Sequence, residues 1–421
     1  MSAAGAPRFA ARVGAITALA LALRLWGLPG QALFADDLGV GVSASNFVER
    51  GHLGPTMWHH PHLSDALVYA ATALAGTGKL GLVLLSLLFG VAAVPLLAVF
   101  TRAVTGEAAA ALLAAFLLAI DPVHVDYSRQ AVKEGWIPFF VLAGLVLFLR
   151  HRRTGALGSL LGAGLLFGAG AACKWTVGFA LAVCVGWVVL DALPPAAPER
   201  ARPDASTTAV RLAALGALPL TVYLLSFAPW FGRGYGLAEF AWLQATLARE
   251  QAVHAGFNPY GMLLDSNAWV WFLRPAFYAD FAIGAGGPVV LMAVSNPVTW
   301  LATLPAMGWV AARAWRERAG GAPLLVALFL AVYLPFVVVS RPVWLHTALG
   351  VLPFALAAVA WAAISLAARL PHPRRWLAAY VATATLVAVP LYPLAVGYGL
   401  ETPGLRELVE RVRPPPELEK R

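Results

Sequence analysis

Charge is scarce in this 421-residue chain: Asp, Glu, Lys and Arg together make up 12% of it, about half the share of a soluble globular protein. That shortage excludes the water-soluble classes, because too few charged side chains remain to clothe a surface of this size. It excludes disorder as well, which requires low hydrophobicity and high charge. Cysteine is almost missing. Cys173 and Cys184 both lie in apolar runs, without metal-site spacing, and support no disulfide framework. Acids are scarcer than bases, 21 against 30, for a net charge of +9. What abounds is apolar: 60% of residues are hydrophobic, and the mean hydropathy is +0.74. The composition is that of a polytopic integral membrane protein.

A spanning helix needs about 20 mostly apolar residues. Runs at 10–28, 80–101, 107–121, 136–149, 156–172, 174–192, 211–230, 289–312, 322–339, 343–367 and 376–396 predict an all-α transmembrane bundle of about eleven spans. The first run follows Arg8 and Arg12, as a signal peptide would. It is read as an uncleaved anchor, because the residues after it look tied to it. With the N-terminus in the cytoplasm, the positive-inside rule puts Arg102, Arg150, Arg152, Arg153, Arg200, Arg313 and Arg369 in inner loops. The basic excess is then a topology signal rather than a nucleic-acid patch. The outer side receives Asp36, Asp37, Asp65, Asp121, Asp126 and Glu134, with His60, His62, His124 and His346. Chemistry-capable groups therefore gather at one boundary. Residues 1–396 are read as one membrane domain with long outer loops at 29–79 and 231–288, and 397–421 as a solvated tail, extracytoplasmic if the span count is odd, or flexible. The stretch at 63–76 reads as an interfacial helix.

Asp36-Asp37 follows the first span. A solvated turn or a helix N-cap is the ordinary use of such a pair. In so uncharged a chain, the competing reading is a functional carboxylate pair with divided roles, since neighbours on a helix face different ways. Arg24, Arg129 and Lys174 sit in or beside apolar runs. They either snorkel to the interface or mark a site with an anionic partner, and a lipid-borne phosphate suits the location. Arg129 and Glu134 are spaced to pair with each other. Among His59, His60 and His62, Pro61 prevents a helical ligand pair, so a substrate-contacting or structural loop is preferred to a metal site. Trp269 and Trp271 alternate, as a sugar-stacking pair or an interfacial aromatic belt would.

Several of these strings, in this order, resemble the protein O-mannosyltransferase family and its bacterial relatives among the GT-C glycosyltransferases. Arg24-Leu25-Trp26 with Ala35-Asp36-Asp37 is similar to the family's opening and its Asp-Glu motif. His60-Pro61-His62-Leu63 is similar to its His-Pro-Pro-Leu element. Asp121-Pro122, Ser128-Arg129 with Glu134, Cys173-Lys174-Trp175, Asn258-Pro259-Tyr260, Trp269-Val270-Trp271, Arg274-Pro275 and Asn296-Pro297 also match in order. The family's Asp-Glu is Asp-Asp here, and its second motif proline is His62.

The resemblance implies a GT-C-like fold and an inverting glycosyltransferase. It would move a sugar, mannose by resemblance, from a polyprenyl-phosphate carrier to a protein serine or threonine, lipid or glycan hydroxyl on the extracytoplasmic face of the cytoplasmic membrane. Asp36 would be the base, with Asp37, Arg129 and Glu134 as its catalytic companions. Arg24, His60, His62, Lys174, Tyr260, Trp269, Trp271 and Arg274 would bind substrates. The mechanism requires no cofactor, although a divalent metal ion near Asp36 and Asp37 would be chemically reasonable. The alternatives are a transporter or lipid-linked sugar flippase, against which the one-sided placement of ionisable groups speaks, and an inactive accessory subunit.

Overall fold

The computed structural model describes residues 5–50, 60–193, 204–253, 267–284, 287–317, 320–339 and 343–397. Among the described residues, six helical segments are long and apolar enough to cross a membrane: 6–30, 79–105, 133–154, 205–225, 321–338 and 373–395. Ala108–Ile120, Leu157–Cys173, Val177–Ala192 and Leu352–Ala367 are equally apolar but shorter. The protein is a multi-pass, helical membrane protein.

From the N-terminus, α1 (Gly5–Leu25) is followed by α2 (Ala35–Arg50), which carries both acids in its first turn, and by α3 (Leu63–Ala75). α4 (Lys79–Thr105) and α5 (Ala108–Ile120) pack as a hairpin around Gly106, whose φ of 77° suits glycine. A short α6 (Pro122–Tyr127) leads through an irregular stretch and a 3-10 turn (Lys133–Trp136) into α7 (Ile137–Thr154), and then α8 (Leu157–Cys173) and α9 (Val177–Ala192) follow. α10 (Ala205–Leu212) continues through a π-helical turn into α11 (Leu218–Leu225). Next come α12 (Ala228–Gly232) and α13 (Leu237–Val253). After the strands β1 (Phe277–Gly284) and β2 (Gly287–Val294) come α14 (Pro297–Trp300), α15 (Thr303–Glu317), α16 (Gly321–Val338), α17 (Leu352–Ala367) and α18 (Pro373–Ala395).

The apolar run at 289–312 is not one helix. Its first residues form β2, paired antiparallel with β1 from Phe277↔Val294 to Gly284↔Gly287. Helix begins only at Pro297, where the Asn296 side chain accepts from the Val298 amide at 3.0 Å and proline occupies the first helical position. The run of β-branched and aliphatic residues before this stop signal is too short for a span, but long enough for a strand.

α4 runs through the middle of the bundle, against α1, α3, α5, α7 and α16. Helix ends converge in two layers. At one end, the Arg24 guanidinium at the end of α1 reaches the Ala119 carbonyl at the end of α5 (3.1 Å), and Tyr392 of α18 donates to the Leu23 carbonyl (2.6 Å). The same layer holds the start of α4, through a Lys79–Asp37 pair, and the end of α8, through Lys174 and Glu134. At the other end, Arg152 of α7 pairs with Asp191 of α9, and Trp361 of α17 donates to Glu107 (3.3 Å).

Candidate active site

Asp36 and Asp37 open α2, where carboxylates are favoured by the unsatisfied amides and dipole of a helix start. Their environments differ. Asp37 is fully buried: Oδ2 accepts from the Phe34 amide (3.1 Å) and from Lys79 Nζ (2.5 Å), while Oδ1 accepts from the Ala131 amide (2.7 Å). The backward reach from Asp37 to Phe34 is the acid half of a capping box. Consecutive helical residues point about 100° apart, so Asp36 faces a different direction from the buried Asp37. Asp36 is half-buried rather than immersed in solvent.

Residues 128–134 carry the rest of the site. They are buried throughout, which is unusual for a segment that is irregular up to the 3-10 turn at Lys133–Trp136, since each of its backbone and side-chain polar groups then needs a partner. The partners come from separate elements. Arg129 Nη1 donates to the carbonyls of Arg24 (2.7 Å) and Trp26 (2.8 Å) at the end of α1. Gln130 donates to Asp126 (2.7 Å), and the Ala131 amide to Asp37. Lys133 pairs with Asp65 of α3 (3.1 Å), and Glu134 with Lys174 beyond α8. His346 Nε2 lies 3.3 Å from the same Glu134 oxygen. Close approach is built in as well: a Cβ on Gly90 of α4 would stand 2.2 Å from Ser128 Oγ. Arg129 Nε is buried and has no hydrogen-bond partner among the described residues. Burial lowers the Arg129 pKa from its usual value, while Tyr392 and Asp126 oppose the shift.

Arg24 is fully buried, not snorkelling. It binds the Ala20 and Ala119 carbonyls (2.9 and 3.1 Å) and His124 Nδ1 (2.6 Å). Burial, reinforced by Arg24, holds the His124 pKa well below the usual histidine value. The ring is therefore neutral and accepts through Nδ1. Asp121 accepts from the His124 amide (3.0 Å) and from Trp300 Nε1 (2.8 Å); burial pushes its carboxyl up to about 6 against these bonds and Arg24. A carboxyl raised by folding contributes stability below its unfolded pKa of about 4, and that contribution is lost as pH climbs through the folded value. Asp121→Asn should thus gain on the wild type between about pH 4 and 6, by at most about 1.4 kcal/mol per unit, and then level off. Melting temperatures of both proteins across that range test this, and a constant difference would contradict it. His124 has the opposite pH slope but is common to both proteins, so it drops out of the comparison.

The outer-loop candidates divide. His62 precedes α3 and binds Asp65 through Nδ1 (2.9 Å); burial lowers its pKa although Asp65 opposes the shift. Ser43 of α2 donates to the same carboxylate (3.2 Å), so His62 belongs to a buried cluster with Asp65 and Lys133. His60 is buried, 3.2 Å from the Gln251 side chain of α13. Trp269 is 56% exposed and Trp271 is fully buried against Tyr333 and Phe336, so the two do not share a face. Arg274 is exposed. His59, Tyr260 and the tail beyond 397 lie outside the described residues. Lys79, Asp65 and Lys133 were given no role by the sequence, although each lies close to a string that was. His346 sits edge-on to Tyr127 and to Tyr278 of β1, which brings the hairpin to the site. Among the described residues, no three of His, Cys, Asp or Glu gather as a metal cluster.

The family model described as dolichyl-phosphate-mannose-protein mannosyltransferase matches residues 52–233, which include the Asp65, Arg129, Glu134 and Lys174 region. The polyprenol-phosphate-mannose–protein mannosyltransferase of Mycobacterium tuberculosis is 25% identical over 411 residues, covering 80% of this chain and 77% of that protein. Its counterpart in Mycolicibacterium smegmatis is 25% identical over 72% of this chain and 70% of its own length. The fold agrees: the protein O-mannosyltransferase Pmt1-Pmt2 complex of S. cerevisiae bound to the sugar donor superposes with a TM-score of 0.77, at 12% identity, over 97% of this chain and 92% of that one. The chain thus resembles protein O-mannosyltransferases in sequence around the site and in fold over nearly its whole length. ArnT from Cupriavidus metallidurans, solved with undecaprenyl phosphate, shares the GT-C fold at a TM-score of 0.57 and 17% identity, over 95% of this chain and 72% of that one. These resemblances support a glycosyltransferase role over the transporter reading.

Proposed function

We propose that the protein transfers mannose from a polyprenyl-phosphate carrier to a serine or threonine hydroxyl of a protein, at the extracytoplasmic face of the cytoplasmic membrane. The relatives named above carry this donor and acceptor class in their names. The observation that carries the reading is the pinned segment 128–134. It is bonded at Ala131 to Asp37, the neighbour of Asp36, while its Arg129 and its Glu134–Lys174 pair bring cations to the same layer. In the reaction the acceptor oxygen bonds to the anomeric carbon, the bond from that carbon to phosphate oxygen breaks, and the phosphate leaves with the electron pair. Asp36 takes the hydroxyl proton. The leaving phosphate is already a stable anion and needs positive donors rather than an acid, which is the service of Arg129 and Lys174. No step calls for a divalent metal, and both oxygens of Asp37 are already engaged.

The test is reconstitution in proteoliposomes with polyprenyl-phosphate-mannose and a serine/threonine peptide, read by mass spectrometry. The expected result is hexose on the hydroxyl residue, at a rate unchanged by EDTA. Lys174→Ala is expected to raise the donor KM by about 10–100-fold, the worth of a charge-assisted hydrogen bond, and to change the acceptor KM far less. Carrier or sugar movement without any glycosylated product would overturn the proposal. An EDTA-sensitive rate restored by a divalent cation would overturn its metal-free form.

A further inference from the structure

At the end of the bundle away from Asp36, the end of α4, the last turns of α7, the body of α9 and the start of α16 enclose a cavity of about 410 Å³. It is remote from the chemistry: α4 has 27 residues and reaches from the Asp37 pair to this cavity, roughly 40 Å at 1.5 Å per residue. Its walls are mostly apolar, from Val104, Phe148, Leu149, Trp187 and Leu324, and among the described residues its one charged lining group is Arg152. The Arg152 guanidinium lies 5.9 Å from the Phe148 ring and 5.8 Å from the Trp187 ring, with its pairing oxygens on Asp191. Asp191 is not part of the lining, and both side chains of the pair remain partly exposed. The last two turns of α7 also bear Arg150 and Arg153, both exposed, so this corner carries more positive than negative charge.

From this we infer that the cavity is a binding site for an anionic diacyl phospholipid of the adjacent leaflet, its phosphate on Arg152 and its upper acyl carbons against Phe148, Leu149, Trp187 and Leu324. The proposal is independent of the transfer chemistry. Its physical basis is a match of three features. The volume is that of a ligand pocket, about 300–1,000 Å³, rather than of a packing defect. The lining joins apolar side chains to one partly exposed guanidinium, as a phosphodiester on a hydrocarbon body requires. Guanidinium is the side chain that meets phosphate with two parallel donors, and basic pockets between spanning helices are where anionic headgroups are held. Asp191 keeps two of the arginine's nitrogens engaged and leaves Nε and the remaining N–H directions for the phosphate.

The test uses the purified full chain, titrated with phosphatidylglycerol or phosphatidylcholine and read by native mass spectrometry and by melting temperature. Wild type is expected to retain phosphatidylglycerol at least tenfold better than phosphatidylcholine, with a saturable rise in melting temperature. Arg152→Gln should abolish that preference. Ala103→Trp, which fills the cavity without touching any charge, should abolish retention altogether. Transfer measured without added phospholipid is expected to be unchanged in both variants. Equal retention of both lipids, undiminished binding in either variant, or displacement by a polyprenyl phosphate but not by phosphatidylglycerol would each overturn the assignment.

Discussion

Asp36→Asn is expected to lower the rate of sugar transfer by about 10²–10⁴-fold, the usual worth of a positioned general base. Asparagine keeps the shape and still accepts hydrogen bonds at the start of α2, but it cannot take the hydroxyl proton. The loss should fall on kcat, because the proposed mechanism assigns the grip on the donor phosphate to Arg129 and Lys174, which the substitution leaves in place. Expression, melting temperature and donor KM should stay close to wild type. A variant that folds and turns over near normally would remove Asp36 from the chemistry. The adjacent acid is a built-in control: Asp37 is sealed in the bundle by Lys79 and two backbone amides and has no free path to substrate.

Breaking the Asp37–Lys79 pair should instead cost stability. Both side chains are almost wholly buried, 3% and 0% exposed, at 2.5 Å. Removing one partner of such a pair costs about 3–5 kcal/mol, because the other is left charged in a low-dielectric interior. Lys79→Met is accordingly expected to lower the melting temperature and yield sharply. Adding Asp37→Asn should recover most of that loss, since the double variant buries no unpaired charge. Transfer by the double variant should remain within about tenfold of wild type, because neither residue touches the reacting atoms, in contrast to the 10²–10⁴-fold loss of Asp36→Asn. A Lys79→Met protein as stable as wild type would show that the pair is not a clamp.

Much of this was legible in the sequence, and the reason is physical. A cation in hydrocarbon surroundings demands a partner, so Arg24, Arg129 and Lys174 stood out in a chain with little charge, as did Asp36-Asp37. What stayed hidden was who pairs with whom. Arg129 and Glu134 are five residues apart and suggested each other, but the intervening chain is not helical; it turns Glu134 to Lys174 and Arg129 to the end of α1. Asp65 and Lys133 are joined only by the packing of α3 against the loop, and no local pattern encodes that. Lys79, at the mouth of an apolar helix, has the look of an ordinary snorkelling lysine. Trp269 and Trp271 alternate as if on a strand, yet the backbone there is a 3-10 turn that sends one outward and one inward. The hairpin was missed because a short buried strand and a piece of a spanning helix have the same apolar composition.

The measurement that bears most directly on the mechanism is the anomeric configuration of the transferred sugar, read by NMR of the purified glycopeptide beside the lipid-linked donor. A single displacement, with Asp36 activating the acceptor on the face opposite the departing phosphate, gives a product of inverted configuration. Retention of the donor's configuration would require a sugar–enzyme intermediate and would contradict the role given to Asp36.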